Sequence, residues 1–186
     1  MERSPLHQQV DTLPDLIRDM IDDLVGLMRQ SFPPELCRRV ARVFITGCGD
    51  SHQAALNSEL AFEQLAGLPC EPQAAMQFSR FGAGFMPDTG HNTNLLIGVS
   101  VSGQVSRTVE AVELGRKGGA ATLALTGNKD APLAGAAELL LETAVPPQAD
   151  QLSSLIVPGT RSYYASQLAL YLLAIHLGQE RGHLAK

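Results

Sequence analysis

Two short turns carry residues whose types and spacing suit anion chemistry: Gly47-Cys48-Gly49-Asp50-Ser51-His52 and Ser100-Val101-Ser102-Gly103-Gln104. Each follows a short apolar run and precedes a helical pattern. A strand that ends in such a turn aims free backbone N–H groups, and the positive end of the next helix, at one spot. Phosphate is the ligand that such a spot holds best. A lone serine or glycine before a helix is ordinarily a cap and nothing more. Two of them acquire meaning only if the topology brings them together.

The elements between the turns supply that topology. Leu13, Leu16, Ile17, Met20, Ile21, Leu24, Val25 and Met28 recur at helical spacing, which predicts an amphipathic helix over 12–30 with Thr12 as its cap and Pro14 in its first turn. Ser31-Phe32-Pro33-Pro34 ends it, and Val43–Thr46 reads as a strand entering the first turn. A helix from Ser51 should stop at Gly67, a glycine C-cap with Pro69 beyond. Cys70–Ala74 reads as a strand, Met76–Gly82 as a short helical piece, and Leu95–Val99 as the strand entering the second turn. A helix over about Gln104–Lys117, a strand at Ala121–Thr126, a short helix after Pro132, a strand near Glu138–Glu142 and a final helix complete the chain.

Alternating strands and helices predict an α/β fold, a three-layer αβα sandwich on a five-stranded parallel sheet. The buried run Leu95-Leu96-Ile97-Gly98-Val99 agrees with parallel pairing. In a flavodoxin-like strand order the first and third strands are neighbours, and the chain reverses its winding between them. Both turns then sit at the C-terminal ends of adjacent strands.

Bulk properties narrow the function. The 186 residues are 45% hydrophobic, ordinary for one globular domain spanning 1–186, with the N-terminal helix ahead of a core at 41–178. A net charge of −5, with Lys and Arg scattered apart from Arg38-Arg39 and Arg116-Lys117, argues against nucleic-acid binding. Cys37, Cys48 and Cys70 show no CxxC spacing, so neither a disulfide framework nor a metal site is expected, and no cofactor motif stands out. Met1–Asp11 lacks the apolar core of a signal peptide, and no apolar stretch reaches the roughly 20 residues of a membrane span. A cytoplasmic protein without a membrane partner is the expectation.

The motifs, in order, resemble the sugar isomerase (SIS) domain family, known from the isomerase half of glutamine–fructose-6-phosphate aminotransferase. Gly47-Cys48-Gly49-Asp50-Ser51 is similar to the family's C-G-T-S turn, and Ser100-Val101-Ser102-Gly103-Gln104-Val105 to its phosphate loop S-Q-S-G-E-T. His7-Gln8-Gln9-Val10, Ala66-Gly67-Leu68-Pro69-Cys70, Gln77-Phe78-Ser79-Arg80, Thr126-Gly127-Asn128 and Pro132-Leu133-Ala134 resemble segments at matching places. Thr160-Arg161-Ser162-Tyr163, followed by Gln167-Leu168-Ala169-Leu170, resembles the T-K-x-F entry to a buried helix. The resemblance covers nearly the whole chain. It implies a phosphorylated sugar or amino sugar as ligand, its phosphate held by Ser51, Ser100, Ser102 and the amides from Val101 to Gln104, with Gly47, Cys48, Gly49, Asp50 and Gly103 shaping the turns.

Departures from the pattern bear on chemistry. The phosphate loop has Gln104 and Val105 in place of Glu and Thr, leaving Ser106 or Thr108 to supply a hydroxyl, and Asp50 stands where Thr is common. That carboxylate repels phosphate unless it caps the helix or faces a sugar hydroxyl. Family isomerases use a glutamate before the T-K-x-F segment as proton-transfer base. Ser154 stands there, with Leu155 next and Asp150 as the nearest acid, so no catalytic residue is assigned.

Two functions therefore stand side by side: an isomerase, deaminase or deglycase of a sugar phosphate, and a module that senses the phosphosugar without converting it. A flavin- or nucleotide-binding protein fits the fold, but the first turn lacks G-x-G-x-x-G. His52 and Cys48 lie beside the proposed cleft, where a ring or a thiol could act, although a helix-start histidine and a small residue in a tight turn are more often structural. His91 reads as a solvated loop residue and His176 as structural. The final helix, with Tyr163, Tyr164, Leu168, Leu170, Tyr171, Leu172, Leu173 and Ile175, is apolar nearly all round, which predicts a homodimer.

Overall fold

The computed structural model describes residues 4–146 and 159–185. Five strands, β1 (Val40–Gly47), β2 (Cys70–Ala74), β3 (Thr93–Val99), β4 (Ala121–Thr126) and β5 (Leu139–Glu142), pair in parallel in the order β2-β1-β3-β4-β5. The helices are α1 (Pro5–Asp11), α2 (Leu13–Ser31), α3 (Pro34–Arg39), α4 (Asp50–Ala66), α5 (Ala75–Gln77), α6 (Ser106–Lys117), α7 (Pro132–Ala136) and α8 (Thr160–Glu180).

Alternation along the strands divides the core into two layers. Val43, Ile45, Leu95, Ile97, Val99, Leu123, Leu125 and Leu141 pack with α2, α4 and α8. Phe44, Leu96 and Ala124 pack on the opposite face, with Phe78, Ala111, Val112 and Leu133. The three-layer αβα sandwich and its flavodoxin-like strand order follow the sequence expectation. The reversal of winding falls between β1 and β3, where Gly47 lies opposite Val99.

Helix α8 packs against both α4 and α2. Leu170, Leu173 and Leu177 are fully buried there, and burying each side chain is worth about 1.5–3 kcal/mol. A buried hydrogen bond from Gln167 Nε2 to Ser58 Oγ, 3.0 Å, fixes the register of α8 on α4. The chain's own helices thus cover most of the apolar surface that α8 carries, and Tyr164 and Tyr171 remain about two-fifths exposed.

Several local expectations need correction. Thr12 does not cap α2: it is in helical conformation at the α1–α2 junction, and its hydroxyl donates to Gln9 O at 2.8 Å. The polar N-terminal stretch forms α1, capped by Ser4 Oγ, because Pro5 at its start costs no hydrogen bond. α3 shows no periodic pattern in the sequence because it is less than two turns long. Helix α6 begins at Ser106 rather than Gln104, since Gly103 has φ +66° and Val105 is extended. The 76–82 piece is α5 followed by a π-turn at Phe78–Gly82 and a 3₁₀ turn at Ala83–Phe85.

The α4–α8 contact closes on Gly178, where a Cβ would lie 2.1 Å from the Leu65 carbonyl oxygen. Backbone cannot yield there as a flexible side chain would. Gly178→Ala is expected to destabilise the fold by about 1–3 kcal/mol, a drop in melting temperature of several degrees measurable by thermal unfolding.

Candidate functional site

The second turn is held by its carbonyls, which leaves its amides open. Ser100 O accepts from Gly103 N (3.0 Å), Val101 O from Gly127 N (3.0 Å) and Gly103 O from Leu133 N (3.1 Å). The loop is thereby pinned to the end of β4 and the start of α7. Ser100 Oγ accepts from Gly103 N and Ser102 Oγ from Gln104 N, so each hydroxyl keeps its proton available to donate. Among the described residues, the N–H groups of Val101, Ser102, Val105, Ser106 and Arg107 meet no acceptor. A run of unpaired amides at a helix start is an anion-binding concavity. Gly103 is required twice over: its φ is positive, and a Cβ would meet Ala131 Cβ at 2.5 Å.

The first turn is tighter. Gly49, with φ +55°, precedes α4; His52 N and Gln53 N close back onto Gly49 O and Ser51 N onto Cys48 O, while the amides of Gly49 and Asp50 are unpaired among the described residues. Gly47 admits no side chain, since a Cβ would lie 2.9 Å from Ser51 Cβ and 3.0 Å from Val99 O. That close approach sets the two turns side by side. Thr108, fully buried, bridges them by directing Oγ1 at Cys48 Sγ, 3.9 Å away.

Between the turns and the start of α8 lies a cavity of about 220 Å³, lined by Asp50, Ser51, Ala54, Val101, Gly159, Ser162, Tyr163 and Ser166. Of the expected site residues, Asp50, Ser51 and Val101 line it directly. Gly47, Cys48 and Gly49 shape the first turn beside it, and Ser100, Ser102, Gly103 and Gln104 shape the second. Asp50 is not the N-cap of α4: Gly49 holds that position and Asp50 is the first helical residue. Of the two hydroxyls expected to stand in for the loop threonine, Thr108 is buried against Cys48 and Ser106 is exposed at the start of α6. Sequence reasoning did not place Ser162 and Ser166 in the site, although their i,i+4 spacing puts both on one face of α8.

The arginines near the site are already engaged. Arg107 and Arg80 each bond Glu110 at 2.8 Å, and these bonds, that from Arg107 foremost, hold the Glu110 carboxyl below its usual range. Arg161 turns to Thr12 Oγ1 (2.8 Å) and Pro146 O (3.2 Å). His176 Nε2 lies 3.4 Å from Phe32 O, a structural place, and His91 offers its carbonyl to Arg39 Nε. Ser154, Leu155 and Asp150 lie outside the described residues.

The fold has known counterparts. Residues 37–177 match the SIS domain. The chain belongs to the SIS domain family. Glutamine–fructose-6-phosphate aminotransferase [isomerizing] of Gloeobacter violaceus is 29% identical over 177 residues, 95% of this chain and 27% of that protein. This SIS domain therefore spans about a quarter of the length of that relative. Among solved structures, the C-terminal domain of glucosamine-fructose-6-phosphate aminotransferase from Francisella tularensis superposes with a TM-score of 0.78 at 16% identity, over 100% of this chain and 50% of that one. The Vibrio vulnificus NanR protein complexed with ManNAc-6P gives 0.67 at 19% identity, over 96% of this chain and 64% of that one. At these identities the likeness is one of fold.

The three thiols of the SIS domain differ in access. Cys48 is exposed, whereas Cys37 and Cys70 are buried. Burial pushes the Cys37 thiol up to about 11, and burial with nearby Glu59 raises that of Cys70 further. Alkylation of the native protein by iodoacetamide is expected to label Cys48 alone, with Cys37 and Cys70 reacting only after unfolding; peptide mass spectrometry reads the outcome.

Proposed function

We propose that this SIS domain binds a phosphorylated hexose or amino sugar at the junction of β1 and β3. The observation that carries the reading is the set of unpaired amides of Val101, Ser102, Val105, Ser106 and Arg107, beside the hydroxyls of Ser100 and Ser102, whose oxygens already accept from Gly103 N and Gln104 N. Hydrogen bonds to a charged group contribute about 1.5–3 kcal/mol each. Ser51→Ala and Ser102→Ala are each expected to weaken binding of fructose-6-phosphate, glucose-6-phosphate or glucosamine-6-phosphate about ten-fold or more in calorimetric titrations. Unchanged affinity in both variants refutes the assignment.

In the catalytic reading the bound sugar is isomerised, deaminated or deglycated, a class of reaction that begins by moving a proton next to a carbonyl. In the second reading the domain senses the ligand without converting it. What favours sensing is Ser154 where the resemblance implies the family's glutamate, and a cavity whose described lining offers one carboxylate, Asp50. Exchange of the sugar's C2 proton for deuterium in D₂O, followed by proton NMR, separates the two: exchange at a rate above buffer supports turnover, and its absence with bound ligand supports sensing.

The chain acts as one SIS domain, with α1 and α2 preceding the core, and works in the cytoplasm; among the described residues no helix is long and apolar enough to cross a membrane. Two copies associate through the groove lined by Ile17, Tyr164, Leu168 and Tyr171 on the outer face of α2 and α8. Sedimentation equilibrium is expected to give a dimer for the native chain and a monomer for Tyr164→Lys, which places a charge in that apolar contact.

A further inference from the structure

The first turn also borders a second group of polar side chains, on the face of the sheet away from the cavity between α4 and α8. Along β1, Val43 and Ile45 face α4 and α8, while Phe44 faces the layer of α6. Thr46 follows Phe44 by two residues and so shares its face. It is fully buried, and its Oγ1 has no hydrogen-bond partner among the described residues. Its neighbours in the ladder are Gln73 on β2 and Gly98 on β3. Gln73 Oε1 is likewise buried without a partner among the described residues.

Thr108 reaches the same place from α6. Its Cγ2 lies 3.6 Å from where a Cβ on Gly98 would stand, and its Oγ1 is directed at Cys48 Sγ, 3.9 Å away. Neighbouring strands are about 4.8 Å apart, so Thr108 over Gly98 stands beside Thr46, and both converge below Cys48. The fold thus leaves a buried donor, Thr46, and a buried acceptor, Gln73, unanswered beneath an exposed thiol. Such atoms are costly, and native proteins keep them where a ligand or redox chemistry uses them. The missing group is one that accepts from Thr46 and donates to Gln73, which a hydroxyl does. Oxidation of the thiol above them supplies a hydroxyl on sulfur.

We propose that Cys48 is a site of reversible oxidation by a hydroperoxide, and that its product, the sulfenic acid, is held by Thr46 and Gln73. The sulfur attacks the nearer peroxide oxygen, and the S–O bond forms as the O–O bond breaks. Sulfur gives up two electrons, and the peroxide is reduced to water or an alcohol that carries away the displaced proton. A sulfenic acid is lost to a second thiol or to further peroxide. Here Cys37 and Cys70 are buried and the hydrogen bonds hold the sulfur's new oxygen in place. Two equivalents of added thiol return Cys48 to the reduced state, releasing water and a disulfide. The step needs no phosphosugar in the cleft.

The test treats native protein with hydrogen peroxide, removes the excess with catalase, and adds dimedone after a delay to trap surviving sulfenic acid. Peptide mass spectrometry reads each thiol. The adduct is expected at Cys48, and prior treatment with dithiothreitol is expected to abolish it. Thr46→Val removes a hydroxyl that has no partner, so the melting temperature is expected to hold, while the Cys48 adduct falls about five-fold, the effect of one lost hydrogen bond. Gln73→Leu, which removes the acceptor instead, is expected to give the same loss and serves where Thr46→Val does not fold. Absence of a trappable sulfenic acid at Cys48 in the native protein overturns the proposal, as does a folded variant of either kind that keeps the native yield.

Discussion

The parallel pairing of β1 with β3 is the constraint on which the rest of the molecule depends. Because these neighbours are not consecutive in sequence, the connection after β1 runs to one face of the sheet and the connection after β3 to the other. Two helices of opposite layers therefore start from adjacent strand ends. Gly47 lies opposite Val99 in this ladder, and with a hydrogen atom for a side chain it lets the two turns approach within van der Waals contact. A shift of the ladder by one residue would turn Val43 and Ile45 out of the α4–α8 layer and pull the turns apart.

Hydrogen-bond economy then gives the site its character. The carbonyls of Ser100, Val101 and Gly103 accept bonds from the turn itself, the end of β4 and α7, while the amides of Val101, Ser102, Val105, Ser106 and Arg107 stay open among the described residues. Such a loop is rigid and incomplete at once, a donor array awaiting an acceptor. The first turn is different in kind, since its helix start already holds a carboxylate. Stability for this arrangement comes from elsewhere, chiefly the apolar contact of α8 with α2 and α4, whose packing keeps Ser162, Tyr163 and Ser166 over the cleft.

Much of the sheet was legible from apolar runs such as Leu95–Val99 and from punctuation: Cys70–Ala74, a polar edge strand set off by Gly67 and Pro69, and Ala121–Thr126 match the expectation in full, and Gly67 ends α4 in the left-handed conformation expected of a C-cap. The starts and ends of helices were less so. Thr12 reads as a cap by residue type, yet its hydroxyl serves a tertiary contact with Arg161. Gln104 reads as helical, yet the positive φ of Gly103 delays α6. These are places where a distant partner or a single dihedral angle outweighs local preference.

By itself the sequence determined the α/β alternation, the two glycine and serine turns, the family, and the absence of a carboxylate at position 154. Periodicity and turn chemistry are local properties, so they are written in the order of the residues. Only the tertiary structure decided that Asp50 lines a cavity with no cation among its described lining, that Ser162 and Ser166 from the far end of the chain stand beside Ser51, and that the nearby arginines are spent on Glu110 and Thr12. Those are statements about which groups share a space, and α8 meets the first turn across more than a hundred residues of chain because apolar burial, rather than any local signal, brings it there.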